Sequence, residues 1–270
     1  MRGGGDAAGD FHSHLVPGVD DGSDTLEDAL DGVERMAAAG IRKIVTTPHV
    51  EASLLRDGRA AAEYLDRVSA SFAGVAERVR DRFPDVDFRR GHEVRLDVPE
   101  CDFGDERLRL GATSFALVEW PRFQVPPGSA EVLSRLSRAG VRPIVAHPER
   151  YSGVDRELEL LGAWRRSGAY LQSTYGSLVG RYGNDVRSAS FTLLREGLVD
   201  YFSTDFHGRP ELRLYKDEAS RKLEEIGATE QLYLLSVANP QRLFRDEAPL
   251  APPPLRGSRG FWRRVRELFH

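Results

Sequence analysis

The sequence predicts an α/β fold of parallel strands closed into one barrel, and three observations lead there. Short β-rich runs alternate with stretches whose apolar residues recur at three- and four-residue spacing. About seven such pairs fill roughly 250 residues, the size of a β/α barrel. No proline- or serine-rich linker interrupts them before residue 248, so a two-domain division finds no boundary. A doubly wound open sheet is the alternative, but the glycine-rich phosphate loop it carries after its first strand is absent.

Residues 1–9 are rich in Gly and Ala and read as a flexible N-terminus, so the barrel is expected over 10–247. Its strands are predicted at 10–14, 41–47, 86–94, 115–119, 142–147, 169–173 and 199–205. Between the first two, Leu26, Leu30, Val33 and Ala37 share one helical face, and later Leu65, Val68, Phe72, Val75 and Val79 do the same. These are helices that cover a sheet. "APLAPPPLRG" then opens a proline-rich linker over 248–258. In the tail helix expected over 259–270, Phe261, Trp262, Val265, Leu268 and Phe269 face one way and Arg263, Arg264 and Arg266 the other. That tail is built to pack back on the barrel or to lie on an anionic membrane.

Hydrophobic residues at 40% supply a core, while a net charge of -4 and a pI near 6.0 give no global pull toward nucleic acid. One cysteine excludes an internal disulfide. Neither a signal-peptide core nor a membrane span is present, so a cytoplasmic protein is expected, in peripheral contact with the inner face of the membrane if the tail binds there. The sequence leaves the oligomeric state open, a homo-oligomer included.

The seven histidines are not scattered. Five of them, His12, His14, His49, His147 and His207, end a predicted strand or begin the loop after it, and in a parallel barrel all those ends meet at one rim. Residues two apart on a strand point to the same side, which suits His12 with His14 and Asp205 with His207. Asp21, Glu93 and Glu119 add carboxylates from three further strand ends. Glu119 closes the run Phe115, Ala116, Leu117, Val118, where an unpaired charge would be costly. Nine imidazoles and carboxylates with no thiolate exceed one tetrahedral zinc; they suit two or three ions of Mn, Fe, Co or Zn, with Mn2+ foremost.

The segments "DFHSHLVPGVDDGSDT", "VTTPH", "GHEVRL", "ALVEWP", "PIVAHPERY", "GSLVGRYG" and "STDFH" together resemble the capsule and exopolysaccharide tyrosine phosphatases of bacteria, a branch of the PHP (polymerase and histidinol phosphatase) superfamily. The match is collinear over about residues 10–245. The resemblance implies a distorted (β/α)7 barrel, TIM-like and of the PHP type, with a trinuclear metal site: His12, His14, Glu93 and Asp205 on the first ion, Glu93, Glu119 and His147 on the second, Asp21, His49 and His207 on the third. It makes Arg150 the phosphate-binding arginine and Arg209 the candidate for a second catalytic arginine. Arg181 falls in a family motif and either contacts substrate or holds its loop. His92, beside Glu93, is at most a support. The resemblance further implies a partner, an autophosphorylating bacterial tyrosine kinase that presents a phosphotyrosine tail in polysaccharide synthesis or export.

The chemistry follows. Close-set metals lower the pKa of a water to about 7, giving hydroxide at neutral pH, and arginine binds the non-bridging phosphoryl oxygens. A phenol leaves with a pKa near 10, so no general acid is assigned. A phosphatase for a small metabolite such as histidinol phosphate, or another phosphoesterase, is the alternative within hydrolases; a deep closed pocket would favour it and an open rim would favour phosphotyrosine. A non-catalytic kinase-binding module is the alternative of another class. "CDFGDER" offers the Cys-x5-Arg spacing of thiol phosphatases at Cys101 and Arg107, but arginine is abundant here, and Asp102, Asp105 and Glu106 would repel both thiolate and phosphate.

Overall fold

The computed structural model describes residues 7–154 and 158–255. The tail helix expected over 259–270 and the first six residues of the expected flexible N-terminus lie outside the described residues. Along the chain run β1 (Ala8–Asp10), α1 (Leu26–Ala38), β2 (Ile41–Thr46), β3 (His49–Glu51), α2 (Gly58–Arg82), β4 (Asp87–Arg90), β5 (Glu93–Arg95), β6 (Phe115–Glu119), α3 (Ser129–Arg138), β7 (Arg142–Ala146), α4 (Leu158–Arg166), β8 (Tyr170–Thr174), α5 (Tyr175–Leu178), α6 (Asn184–Arg195), β9 (Tyr201–Ser203), α7 (Lys216–Glu225), α8 (Thr229–Tyr233) and α9 (Asn239–Leu243). The result is a mixed α/β domain in which every strand pairing among the described residues is parallel.

Two sheets form, β1-β2-β4 and β3-β5-β6-β7-β8-β9. Only Thr47 and Pro48 separate β2 from β3, and only Gly91 and His92 separate β4 from β5, so two chain runs pass from one sheet into the other. Proline has no N–H to give a ladder, and a Cβ at Gly91 would meet the Arg109 carbonyl at 2.9 Å; each break has its local cause. Backbone bonds continue across it, from Gly91 N to Thr46 O (2.9 Å) and from Glu93 N to Pro48 O (3.1 Å). On the far side, Ser13 bridges Phe206, His14 N donates to Phe206 O and Asp205 N to His12 O, both at 2.8 Å.

Alternation along the strands sorts the core. On β6, Phe115 and Leu117 join Phe11, Val45, Ile144, Ala146 and Tyr201 in one cluster, while Ala116 and Val118 join the residues under the helices. α1 starts at a capping box between Thr25 and Asp28 and turns Ala29, Leu30, Val33 and Met36 inward. α2 begins on the Asp57 carboxylate and buries Leu65, Val68, Val75 and Val79.

Each predicted strand is found near its place, but nine strands form where seven are expected, β3 beyond Pro48 and the division of 86–94 adding one each, and the differences have local causes. The first runs over 8–10, not 10–14, because Gly9 packs against Pro240 so closely that a Cβ would sit 2.6 Å from it; Ala8 and Gly9 are thus buried strand residues, not a flexible end. The run 86–94 breaks at Gly91. The last strand stops at Ser203, since Asp205 takes a left-handed backbone (φ 51°). The proline-rich segment, as far as it is described, is not a free linker: Asn239 bonds the Leu250 backbone on both sides, Gln231 donates to Pro253 O, and Leu255 is buried.

Candidate metal centre

Strand register carries the first ligands into place. His49, Glu93, Leu117 and Ile144 are successive partners across β3, β5, β6 and β7, and Leu117 and Ile144 belong to the inner cluster, so His49 and Glu93 face inward too. Two residues on, Arg95 is opposite Glu119 and next to Glu51. His12 and His14 follow β1 with ring centroids 5.5 Å apart, outside any regular strand yet both turned to the cluster. His147 and Asp205 reach it by left-handed backbones, φ 33° and 51°, which for non-glycine residues store strain and recur at functional sites.

All nine candidate ligands meet. His12 Nε2 lies 3.0 Å from Glu93 Oε2 and 3.3 Å from Asp205 Oδ1; His14 Nε2 is 3.4 and 3.5 Å from the same two atoms. His147 Nε2 is 3.1 Å from Glu93 Oε1 and 3.8 Å from Glu119 Oε2. His49 turns Nδ1 to Glu93 (3.2 Å) and Glu119 (3.5 Å), and Nε2 to Asp21 (3.5 Å), which His207 Nε2 also approaches at 3.5 Å. Four groups of metal-ligand atoms result: His14 with Asp21, His49 and His207; His12 with Glu93 and His147; His12 and His14 with Asp205; His49 with Glu93 and Glu119. His12, His14, His49 and Glu93 thereby each serve two groups, and for the three histidines the motifs did not foretell it.

The donor set fits divalent cations. Ligand atoms about 2.1 Å from one ion and 90–110° apart lie about 3.0–3.5 Å from each other, the separations found here. The nitrogens His14 Nε2 and His49 Nδ1 are buried without a hydrogen-bond partner. Charge points the same way. Although burial opposes it, Glu93 and Asp205 push His12 up to about 10, and Asp20, followed by Asp205 and Glu93, holds His14 well above the usual imidazole range. Burial, then the charge of Glu93, pushes Glu119 up to about 8. So many enclosed carboxylates call for positive charge, and cations meet that call with no proton on the imidazoles.

Several supporting residues escaped the sequence reading. Asp20 Oδ2 holds His14 Nδ1 at 2.7 Å and accepts from His49 N at 3.0 Å. Gln172 Oε1 holds His12 Nδ1 at 2.9 Å, and buried Asp10 accepts from the backbone of His12 and Thr204. Arg95 pins Glu119 (2.8 Å) and Glu51 (2.7 Å). Only Asp20 had a signal, its place beside Asp21. The others are ordinary residues that topology alone makes relevant.

The arginines differ. Arg150 Nη1 donates to Asp205 Oδ2 at 2.7 Å, and its guanidinium is sandwiched between Phe123 and Tyr182, 4.3 Å from each ring centroid. Arg122 and Phe123 are consecutive left-handed residues (φ 55° and 51°), a strained turn that sets Phe123 over both Arg150 and His147. Arg209 Nε donates to the carbonyls of Asp21 and Gly22, both at 3.1 Å, bracing the loop that carries Asp21. Arg181 is exposed and stacks with Tyr182 and Tyr215. His92 is buried away from the cluster, with Nδ1 on Arg107 O. At Cys101 burial, then Asp102 and Asp97, push the thiol up to about 12, while Arg107 is committed to Asp105 and Asp66, so no thiolate–arginine pair forms.

Residues 8–245 match the family described as "Capsular polysaccharide synthesis, CpsB/CapC". The chain is 27% identical over 248 residues to tyrosine-protein phosphatase YwqE of Bacillus subtilis, covering 91% of this chain and 94% of that protein. It is 24% identical to CpsB of Streptococcus pneumoniae, covering 88% and 98%. Crystal structures of YwqE from Bacillus subtilis and CpsB from Streptococcus pneumoniae, described as unique metal-dependent tyrosine phosphatases, align at a TM-score of 0.71 and 26% identity over 92% of this chain and 100% of the other. An amidohydrolase from Mycoplasma synoviae, at 12% identity and a TM-score of 0.56 over 97% and 94%, shares the fold.

Proposed function

The chain belongs to the CpsB/CapC family of capsular polysaccharide synthesis, and from that premise we propose that the cluster is the active site of a metal-dependent protein tyrosine phosphatase. The observation that carries this reading is the convergence of nine ligand-type side chains, from six strand ends, beside the single clamped guanidinium of Arg150. In this reading the two sheets are one distorted seven-stranded barrel that begins at β1 (Ala8) rather than at the expected residue 10 and runs to 247, closed through the Ser13–Phe206 contact; its C-terminal rim is the mouth.

Two or three divalent ions, Mn2+ foremost, would be held by His12, His14, Asp21, His49, Glu93, Glu119, His147, Asp205 and His207, and when bound supply a water of lowered pKa and Lewis-acid neutralisation of phosphoryl charge. The chain's own groups do the rest. Arg150 directs its remaining N–H groups at the phosphoryl oxygens, held flat by Phe123 and Tyr182 and aimed by Asp205. Arg209 contributes a second contact while its Nε braces the Asp21 loop, and Arg181 contacts substrate farther out. Asp20, Gln172 and Arg95 fix the orientation of His14, His12 and Glu119. The aryl oxygen leaves with a pKa near 10, so the site works without a dedicated acid.

An open rim favours a phosphotyrosine on a protein over a small metabolite: the Asp21 side chain is 65% exposed, and those of His49 and His207 about a fifth. The natural substrate proposed is the tail of an autophosphorylating bacterial tyrosine kinase in polysaccharide synthesis or export. No helix among the described residues is long and apolar enough to cross a membrane; we assign the protein to the cytoplasm, with residues 259–270 as its contact to the inner membrane face. The test is metal content beside turnover of phosphotyrosine peptide and histidinol phosphate. His12→Ala should lose bound metal; Arg150→Ala should keep it and lose turnover by about 100-fold or more. Wild type that prefers histidinol phosphate would replace this reading with the metabolite one.

A further inference from the structure

From the mouth outward, aromatic rings and guanidinium groups alternate: Phe123, Arg150, Tyr182, Arg181, Tyr215, Arg213. Arg150 lies 4.3 Å from the Phe123 and Tyr182 centroids, Arg181 is 5.3 Å from Tyr182 and 5.4 Å from Tyr215, and Arg213 is 5.1 Å from Tyr215. All lie within the range of cation–π attraction. The ladder is assembled from four separate loops, after β6, β7, β8 and β9.

Its three cations differ in what their N–H edges meet. Arg150 is tied to Asp205, and Arg213 to Glu218 at 3.1 Å. Arg181, although exposed, pairs with no carboxylate among the described residues. Its stem is nonetheless fixed. Its N–H donates to Gly176 O at 3.0 Å, and its Cδ lies so close to Gly176 that a Cβ there would approach to 3.2 Å. A guanidinium stacked on rings keeps its in-plane N–H groups free for an oxyanion. Loop bracing would need a carbonyl or carboxylate at those N–H groups, and none accepts from them among the described residues.

We infer that Arg181 is a second anion subsite, taking a carboxylate or a phosphate ester carried by the same peptide within about three residues of the target phosphotyrosine. The inference rests on the phosphotyrosine reading of the site. The span follows from the shared Tyr182 ring: two guanidinium carbons 4.3 and 5.3 Å from one centroid are less than about 10 Å apart, and an extended chain advances about 3.3 Å per residue. A single peptide can therefore occupy Arg150 and Arg181 together.

The test uses non-hydrolysable phosphonate analogues of phosphotyrosine in peptides flanked by alanine, by glutamate or by a second phosphotyrosine, with affinities measured on the metal-loaded protein. Wild type should bind both acidic peptides about three- to tenfold more tightly than the alanine one, with the gap shrinking as salt rises. Arg181→Gln should bring that ratio to near one, and Arg181→Lys should restore part of it. Equal affinities for the three peptides in wild type, or an unchanged ratio in Arg181→Gln, overturns the inference; the wild-type comparison decides even if the variant misfolds. A gain with the second phosphotyrosine alone would identify a phosphate subsite, and a gain with both a general anion subsite. Because affinity is read without turnover, a protein that binds these peptides and hydrolyses no phosphotyrosine would sink the phosphatase reading instead.

Discussion

Asp20 bonds the ring nitrogen of His14 that faces away from the cluster and the backbone N–H of His49, so one carboxylate orients two candidate ligands. Removing such an outer partner lowers metal affinity about 10–100-fold. Asp20→Asn should therefore weaken metal binding by that factor in equilibrium dialysis while leaving the fold intact; unchanged affinity would reduce Asp20 to a loop residue. In the sequence Asp20 and Asp21 are indistinguishable neighbours, and only the turn of the loop sends one toward His49 and His207 and the other behind His14. Cys101 gives the opposite lesson. Its spacing to Arg107 imitates a thiol phosphatase, but acids surround the thiol and claim the arginine. Cys101→Ser should turn over phosphotyrosine peptide at the wild-type rate, and loss of turnover would revive the thiol mechanism.

At the scale of elements, the strands were legible because a buried strand leaves a strong mark. Phe115–Glu119 is buried at every position and was predicted to the residue. At the candidate site the pattern fails: the predicted strands 10–14 and 199–205 dissolve into irregular backbone at His12 and Asp205, joined by hydrogen bonds between the two segments that no local pattern encodes. Asp200 shows how elements are tied. Its buried carboxylate accepts from Leu171 N in β8 and from Arg165 of α4, both at 2.9 Å. Burial pushes it from 3.8 up to about 6, opposed by Arg165. A raised acid pKa means that the folded state binds the proton more readily, so this group's contribution is complete below about pH 4 and is lost as pH rises through 6. Measured by urea unfolding, wild type should gain on the order of 3 kcal/mol relative to Asp200→Asn between pH 7 and pH 4. A difference that stays flat over that range would contradict the burial argument.

For the whole molecule, most of the candidate ligands could be picked out from the sequence, because parallel strands carry their C-terminal ends to one side of the fold. All nine candidate ligands arrive there. What sequence could not supply is the sharing of His12, His14 and His49 between groups, the aromatic clamp on Arg150 and the packing of residues 248–255 against the body, each of which depends on contacts between loops far apart in the chain. The amphipathic tail belongs to this scale too. Full-length protein should co-sediment with anionic liposomes and a chain ending at residue 250 should not; equal sedimentation would remove the membrane from the account. The central claim is that these distant segments cage divalent cations that the hydrolysis of phosphotyrosine requires. The most direct measurement is peptide turnover by protein stripped with a chelator, with bound metal quantified in the same samples. Turnover should fall to background with the metal and return when Mn2+ is restored, whereas metal-free protein working at the full rate would contradict the account.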